Sequence, residues 1–156
     1  MTVLAWSDQL ALGHADMDHT HQEFVSLLNA VGEAQGEAIL DTLDAFIAHC
    51  EAHFAQEEAW MEERQFPPRG CHRKEHAGVL EVVREVRNRV ANGEAHYGRT
   101  LAEALAEWFP VHASSMDAML ALFMENPRIF EQAGGCASPD HVCNENAAPE
   151  AAADKG

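Results

Sequence analysis

A chain of 156 residues with 26 acidic and 10 basic side chains carries a formal net charge of −16. That length suits one domain with a sizeable core, and that charge excludes an unaided nucleic-acid binder and disfavours an anionic membrane surface. Hydrophobic residues at 47% exclude wholesale disorder, and ten histidines are a surplus for a globular chain of this size.

Residues 1–16 have no helical period but contain Trp6, Leu10 and Leu12, which suit an extended arm laid across the rest of the domain. They lack the basic region and continuous apolar stretch of a secretory leader. The longest apolar run, Ala118 to Met124, has seven residues, against roughly 18 for a transmembrane helix. The expectation is a cytoplasmic protein that inserts into no membrane. Cys50, Cys71, Cys136 and Cys143 are too few and too scattered for a secreted disulfide framework, so they are expected as thiols.

Breakers at Gly32 and Gly36, at Pro67-Pro68-Arg69-Gly70, at Asn92-Gly93 and Gly98, and at Asn126-Pro127 separate four segments whose apolar positions recur at three and four. The first helix, over about 18–31, opens on Thr20-His21-Gln22-Glu23, which fits a capping box. It puts His21, Phe24, Val25, Leu28 and Val31 on one face. The second, over about 37–64, lines up Leu40, Leu43, Phe46, Ile47, Cys50, His53, Phe54, Glu57, Trp60 and Met61. The third, over about 71–90, lines up His72, His76, Val79, Val83, Val86 and Val90. The fourth, over about 99–125, does so with Leu101, Leu105, Trp108, His112, Met116, Met119 and Phe123, and Pro110 should kink it.

No segment alternates with period two. The expected fold is all-α, an up-down-up-down four-helix bundle with an N-terminal extended arm over residues 1–133, followed by a flexible, disordered acidic tail over 134–156.

Polar residues on the apolar stripes are the anomaly, because an unpaired buried imidazole or carboxylate costs several kcal/mol. The first helix contributes His21, the second His53 and Glu57, the third His72 and His76, and the fourth His112 and, five residues on, Asp117. Residues four apart project from one helix face on successive turns, so each such pair offers two ligands to one metal or spans two. Five imidazoles and two carboxylates exceed the four ligands of one zinc and contain no thiolate. That set favours a dinuclear centre of iron, with manganese and zinc behind it. No Glu-x-x-His occurs, so the ferritin-like arrangement is excluded, and no His-Glu-x-x-His zinc-protease string is present.

The strings Met17-Asp18-x-x-His21-x-x-Phe24, His53-Phe54-x-x-Glu57-Glu58, His72-x-x-x-His76 and His112-x-x-x-x-Asp117 resemble the hemerythrin family, above all its single-domain bacterial members, over residues 4–125. The resemblance implies two iron ions joined by an oxo or hydroxo group and by the carboxylates of Glu57 and Asp117. One iron would take His72, His76 and His112, and the other His21 and His53, which leaves the second with five bonds and one open position. Dioxygen would bind there and rest as hydroperoxide. Phe24, Leu28, Trp60, Met61, Val79, Trp108 and Met116 would line the surroundings with no acid or base poised to expel it.

The implied function is reversible dioxygen binding, as carrier, store or local supplier, without catalysis. Dioxygen is then the ligand, an oxygen-consuming enzyme or a reductase the expected protein partner, and nucleic acid no partner. Two other readings stay open, a di-iron enzyme acting on nitric oxide or peroxide and a sensor of oxygen or iron acting through a separate partner. His14, His19, His49 and His96 lie off the inner stripes and Glu58 points about 100° from Glu57, so all five are read as surface residues. Cys50 reads as core filling, and Cys136, His141 and Cys143 form a weak metal or disulfide signal in the tail.

Overall fold

In the computed structural model, which describes residues 1–132, the chain is helical from Ala15 onward. The elements are α1 (Ala15–Glu33), α2 (Ala38–Glu63), α3 (Arg69–Ala91), α4 (His96–His112), a π-helical turn (Ala113–Asp117), α5 (Ala118–Glu125) and the short α6 (Ile129–Gln132). No strand occurs among the described residues. Helix α1 packs against α2 and α4, and α3 against the same two, so the bundle closes in chain order. Short connections between such neighbours make them antiparallel. The expected tail over 134–156, with Cys136, His141 and Cys143, lies outside the described residues. No described helix is long and apolar enough to cross a membrane.

Two helix ends show why the chain turns where it does. At the end of α2, Phe66 N–H reaches Met61 O at 2.8 Å and Gln65 N–H reaches Glu62 O at 3.2 Å, the paired closure that satisfies the last carbonyls of a helix. Gln65 takes the left-handed conformation this closure requires, at φ 53°. The end of α3 repeats it with Glu94 N–H on Arg89 O and Gly93 N–H on Val90 O, and there the left-handed position is glycine, at φ 97°.

The start of α1 departs from expectation. The helix begins at Ala15 rather than near 18, and Thr20 returns its hydroxyl to Asp16 O at 2.9 Å inside the helix, so no capping box forms. The cap is His14, whose Nδ1 accepts from Met17 N–H at 3.3 Å. Asp18 accepts from Leu12 N–H and Gly13 N–H and ties the arm to the first turn.

The arm does lie across the bundle. Leu10 is buried, Val3, Leu4 and Trp6 pack on the main core, and Leu12 packs on a second cluster. Asn29 holds the strand-like segment like a backbone surrogate. Its Oδ1 accepts from Val3 N–H (2.8 Å) and Leu4 N–H (3.1 Å), and its Nδ2 donates to Leu4 O (2.7 Å). Gly32 permits the approach, since a Cβ there would sit 3.1 Å from Val3 Cγ1 and 3.2 Å from Ala102 Cβ.

The apolar interior divides in two. A large cluster includes Phe24, Phe46, Phe54, Val79, Leu105 and Phe109, and a smaller one holds Met17, Met61, Phe66, Leu120, Ala121 and Phe123. Along each wall the chain passes from one cluster to the other through polar residues: His21 between Met17 and Phe24, Glu57 between Phe54 and Met61. The fourth wall changes register on the way. Past His112 the buried positions are Ala113, Asp117, Leu120, Ala121 and Phe123, whereas Met116 is half-buried and Met119 is 39% exposed. The π turn causes the shift, because one extra residue per turn rotates everything after it. Pro110, which has no N–H for the carbonyl of Ala106, sits inside α4 just ahead of that turn. On α2, Ile39 rather than Leu40 takes the core position. Cys50 is a free buried thiol, while Cys71 is disulfide-bonded, contrary to the expectation of four thiols.

Candidate metal centre

The seven residues His21, His53, Glu57, His72, His76, His112 and Asp117 all lie inside the bundle, none more than 4% exposed, in the layer between the two apolar clusters. They come from α1, α2, α3, α4 and the π turn. Pairs four apart on straight α-helix, His53 with Glu57 and His72 with His76, point inward together on successive turns.

All five imidazoles turn Nε2 towards the two carboxylates, and each carboxylate divides its oxygens between two sides. Glu57 Oε1 lies 2.9 Å from His53 Nε2 and 3.4 Å from His21 Nε2. Its Oε2 lies 3.2 Å from His76 Nε2 and 3.4 Å from His72 Nε2. Asp117 Oδ2 faces His21 Nε2 at 3.3 Å, and Oδ1 faces His72 at 2.9 Å and His112 at 3.1 Å. Two donor groups close enough to hold a cation result: Glu57, His72, His76, His112 and Asp117 on one side, and His21, His53 and Glu57 on the other.

These contacts do not satisfy the polar atoms. Fourteen buried side-chain nitrogens and oxygens among the described residues lack a hydrogen-bond partner, and all but His49 Nε2 and Arg73 Nε belong to the seven residues. Five of the twelve are Nδ1 atoms on the outer side of the rings. The other seven, Nε2 of His21, His72, His76 and His112, Oε2 of Glu57 and both oxygens of Asp117, face one another, and at about 1–3 kcal/mol each they would offset much of the roughly 5–15 kcal/mol net stability of an ordinary domain. Nitrogen and oxygen lone pairs converging without hydrogen bonds are what cations take up. The residues therefore fit a metal centre.

Electrostatics agree. Burial works against charge on His21 and His72, yet the facing Asp117 and Glu57 outweigh it and raise both imidazoles to about 9. Burial also opposes ionisation of Glu57, and contacts from His21, His53, His72 and His76 overcome it, holding the carboxyl well below its usual range. Asp117 is likewise held low against burial and the Glu57 charge, chiefly by His112 and then His21. His76 is lowered, mainly by burial. Two anionic carboxylates thus draw protons onto imidazoles wherever a cation does not stand between them.

Rings fix the imidazoles from outside. Phe54 stacks on His76 at 4.1 Å, Trp108 stacks on His112 at 4.4 Å, and Phe109 meets His21 edge-on at 5.2 Å. Trp108 in turn donates its indole N–H to Glu75 at 3.1 Å.

Two residues read from the sequence as surface groups stand next to the site. Glu58 Oε1 lies 3.5 Å from His76 Nδ1, and the His49 ring centre is 5.5 Å from that of His53. His49 is lowered to about 4, first by burial and then by the neighbouring His53 charge. The expectation that both are surface residues is therefore corrected. A stripe drawn from one helix misses Glu58, which packing brings to His76 of α3, while His49 precedes His53 by one turn of α2. The preference of a ligating imidazole for a carboxylate on its far nitrogen is the signal that could have found Glu58. His14 caps α1, His19 is exposed beside Glu23, and His96 opens α4, all away from the seven.

A closed helical bundle that gathers imidazoles and carboxylates from every wall into one buried layer defines a class of cation-binding four-helix proteins. The profile of the hemerythrin HHE cation binding domain matches residues 12–122, and the chain belongs to the hemerythrin family. It is 49% identical over 124 residues to a bacteriohemerythrin of Ralstonia nicotianae, covering 80% of this chain and 90% of that one. Bacteriohemerythrins of Stenotrophomonas maltophilia and Pseudomonas aeruginosa are each 30% identical, over 78% and 76% of this chain and 81% and 79% of theirs. No solved structure matches the chain significantly.

Proposed function

We propose that the chain binds dioxygen reversibly at a centre of two iron ions, as a carrier, store or local supplier in the cytoplasm. His72, His76 and His112 hold one iron, His21 and His53 the other, and Glu57 and Asp117 bridge them. The observation that carries this reading is the division of oxygens described above, with one oxygen of each carboxylate turned to the two-imidazole side and one to the three-imidazole side. A pair of ferrous ions held by these residues would supply two reducing equivalents, one from each, and the side with fewer imidazoles would leave room for a ligand.

The protein's own residues do the rest. Glu57 and Asp117 cancel part of the charge of the pair, and the five imidazoles remain neutral donors once a metal displaces their protons. Phe24, Phe54, Phe109 and Trp108 keep bulk water from the layer. Storage of the ligand as the two-electron-reduced, protonated form of dioxygen belongs to the same proposal, as does the absence of catalytic turnover.

The test is to reduce the iron-loaded protein, admit air and then remove it. A visible absorption band that comes and goes with oxygen supports the proposal, and its absence in protein with two irons per chain overturns it. Consumption of nitric oxide or peroxide in the presence of a reductant, faster than with free iron, would replace it with an enzymatic reading.

A further inference from the structure

The two sides of the polar layer differ in access as well as in ligand number. A cavity of about 240 Å³ runs in between α1 and α2, with His53 and Glu57 at its base and Glu23, His49, Ala52 and Gln56 among its walls. It thus reaches the two-imidazole side. The three-imidazole side is covered by the stacked rings of Phe54 and Trp108. A larger opening, about 480 Å³ between the arm and α5, touches none of the seven residues.

The walls are mixed, with Met17, Ala52 and Trp60 beside Thr20, His49 and Gln56, and their carboxylates are Glu23 and Glu57. Glu23 is half exposed, with one carboxylate oxygen 3.4 Å from His19 Nε2 and the other 3.9 Å from His49 Nδ1, which holds it at the rim. No lysine or arginine lines the cavity. An anion approaching through it meets the Glu23 charge first and the −16 field of the chain behind it. A small uncharged molecule meets neither.

We propose that the cleft between α1 and α2 is the port through which small uncharged ligands reach the His21 and His53 side of the centre, with Glu23 at its rim slowing anions. The proposal rests on the di-iron reading and adds a route and a selectivity to it. Because Ala52 and Gln56 are exposed helical positions on the cavity wall, a larger side chain at either narrows the port without touching the seven residues.

The experiment follows azide binding to the diferric protein and dioxygen binding to the diferrous protein by stopped flow. In Ala52→Trp and Gln56→Trp, association and dissociation rates of both ligands should fall together by about tenfold, with Kd and the spectrum of the azide adduct unchanged, as for a narrowed route. Ala77→Trp, on the exposed side of α3, should change neither rate. Glu23→Gln should speed azide roughly two- to fivefold at low salt, less at high salt, and leave dioxygen unaltered.

Unchanged rates in both tryptophan variants, or a change in Kd without a matched change in the two rates, overturn the port. Equal effects of Glu23→Gln on azide and dioxygen overturn the selectivity. Failure of the unaltered, iron-loaded protein to form any azide adduct is a separate result, which removes the di-iron reading itself.

Discussion

His112 and Asp117 are five residues apart, yet His112 Nε2 and Asp117 Oδ1 lie 3.1 Å from each other because residues 113–117 wind as a π turn. On a regular α-helix five residues amount to 500°, which would leave the two side chains about 140° apart. The wider i→i+5 closure carries Asp117 round to the face of His112 and brings Leu120 and Phe123 into the smaller cluster with it.

Changing the length of that turn tests the geometry. Deleting Ser115, an exposed residue, should leave an α turn in which the carboxylate stands four residues after His112, so metal content and stability should be kept. Inserting an alanine after Ser115 should swing Asp117, Leu120 and Phe123 about 100° off the core, cost several kcal/mol and lower metal content. Metal analysis with urea unfolding checks both, and equal damage from deletion and insertion would show that the π backbone itself is required.

His53→Ala removes one of the two imidazoles on the less liganded side. Iron content is expected to fall towards one per chain while the helical circular dichroism persists. Two tightly held irons in that variant would mean that the assignment of ligands is wrong.

Metal loading should depend on pH with a definite sign. His21 and His72, raised from 6.5 to about 9 in the metal-free protein, carry protons at neutral pH that a metal must displace. Affinity should therefore climb between pH 6.5 and 9, by up to about a hundredfold per unit if both protons leave. The stability of the metal-free protein moves the opposite way. A raised imidazole stabilises fully below its unfolded value, and that contribution disappears as pH rises through about 9. Competition with a chromophoric chelator and urea titration of the metal-free chain measure the two slopes, and a flat affinity profile would contradict the proton competition.

Chelation should destabilise the protein strongly, because it leaves the seven unpaired nitrogens and oxygens that face the centre without a cation. With free metal a thousandfold above Kd the linkage contributes about 4 kcal/mol, or roughly 8–16 °C in Tm for a chain of this size. Calorimetry with and without chelator checks it. A shift under about 2 °C would show that the polar layer is satisfied without metal.

Asn29→Ala removes the three hydrogen bonds that tether the arm at Val3 and Leu4. The expected cost is about 1–3 kcal/mol, with faster hydrogen exchange at Val3 and Leu4 and unchanged metal content. Retained protection at those amides would show that Leu10 and Trp6 hold the arm unaided.

The legible parts of this protein are those set by local periodicity. Four apolar stripes at helical spacing marked the bundle, and polar side chains on those stripes marked the seven residues that the structure buries together, since burial of an unpaired imidazole is costly wherever the helix lies. The start of α1 was misread because Thr20 follows a capping pattern that His14 and Asp18 outcompete from upstream. Met119 was misplaced because the extra residue of the π turn breaks the period on which the reading relies. Asn29 and Glu58 were missed because each acts on a segment elsewhere in the chain, and His49 because it stands one turn before His53 at the edge of the α2 stripe.

The sequence by itself determined the helices, their inward faces and the kinds of atom presented there, because a 3.6-residue repeat couples each residue to its near neighbours alone. Only the tertiary structure decided which oxygen of Glu57 and Asp117 meets which imidazole, and that a cavity between α1 and α2 reaches His53 and Glu57. Those features depend on how the walls of the bundle are rotated against one another, and that rotation is fixed by packing between residues far apart in the chain.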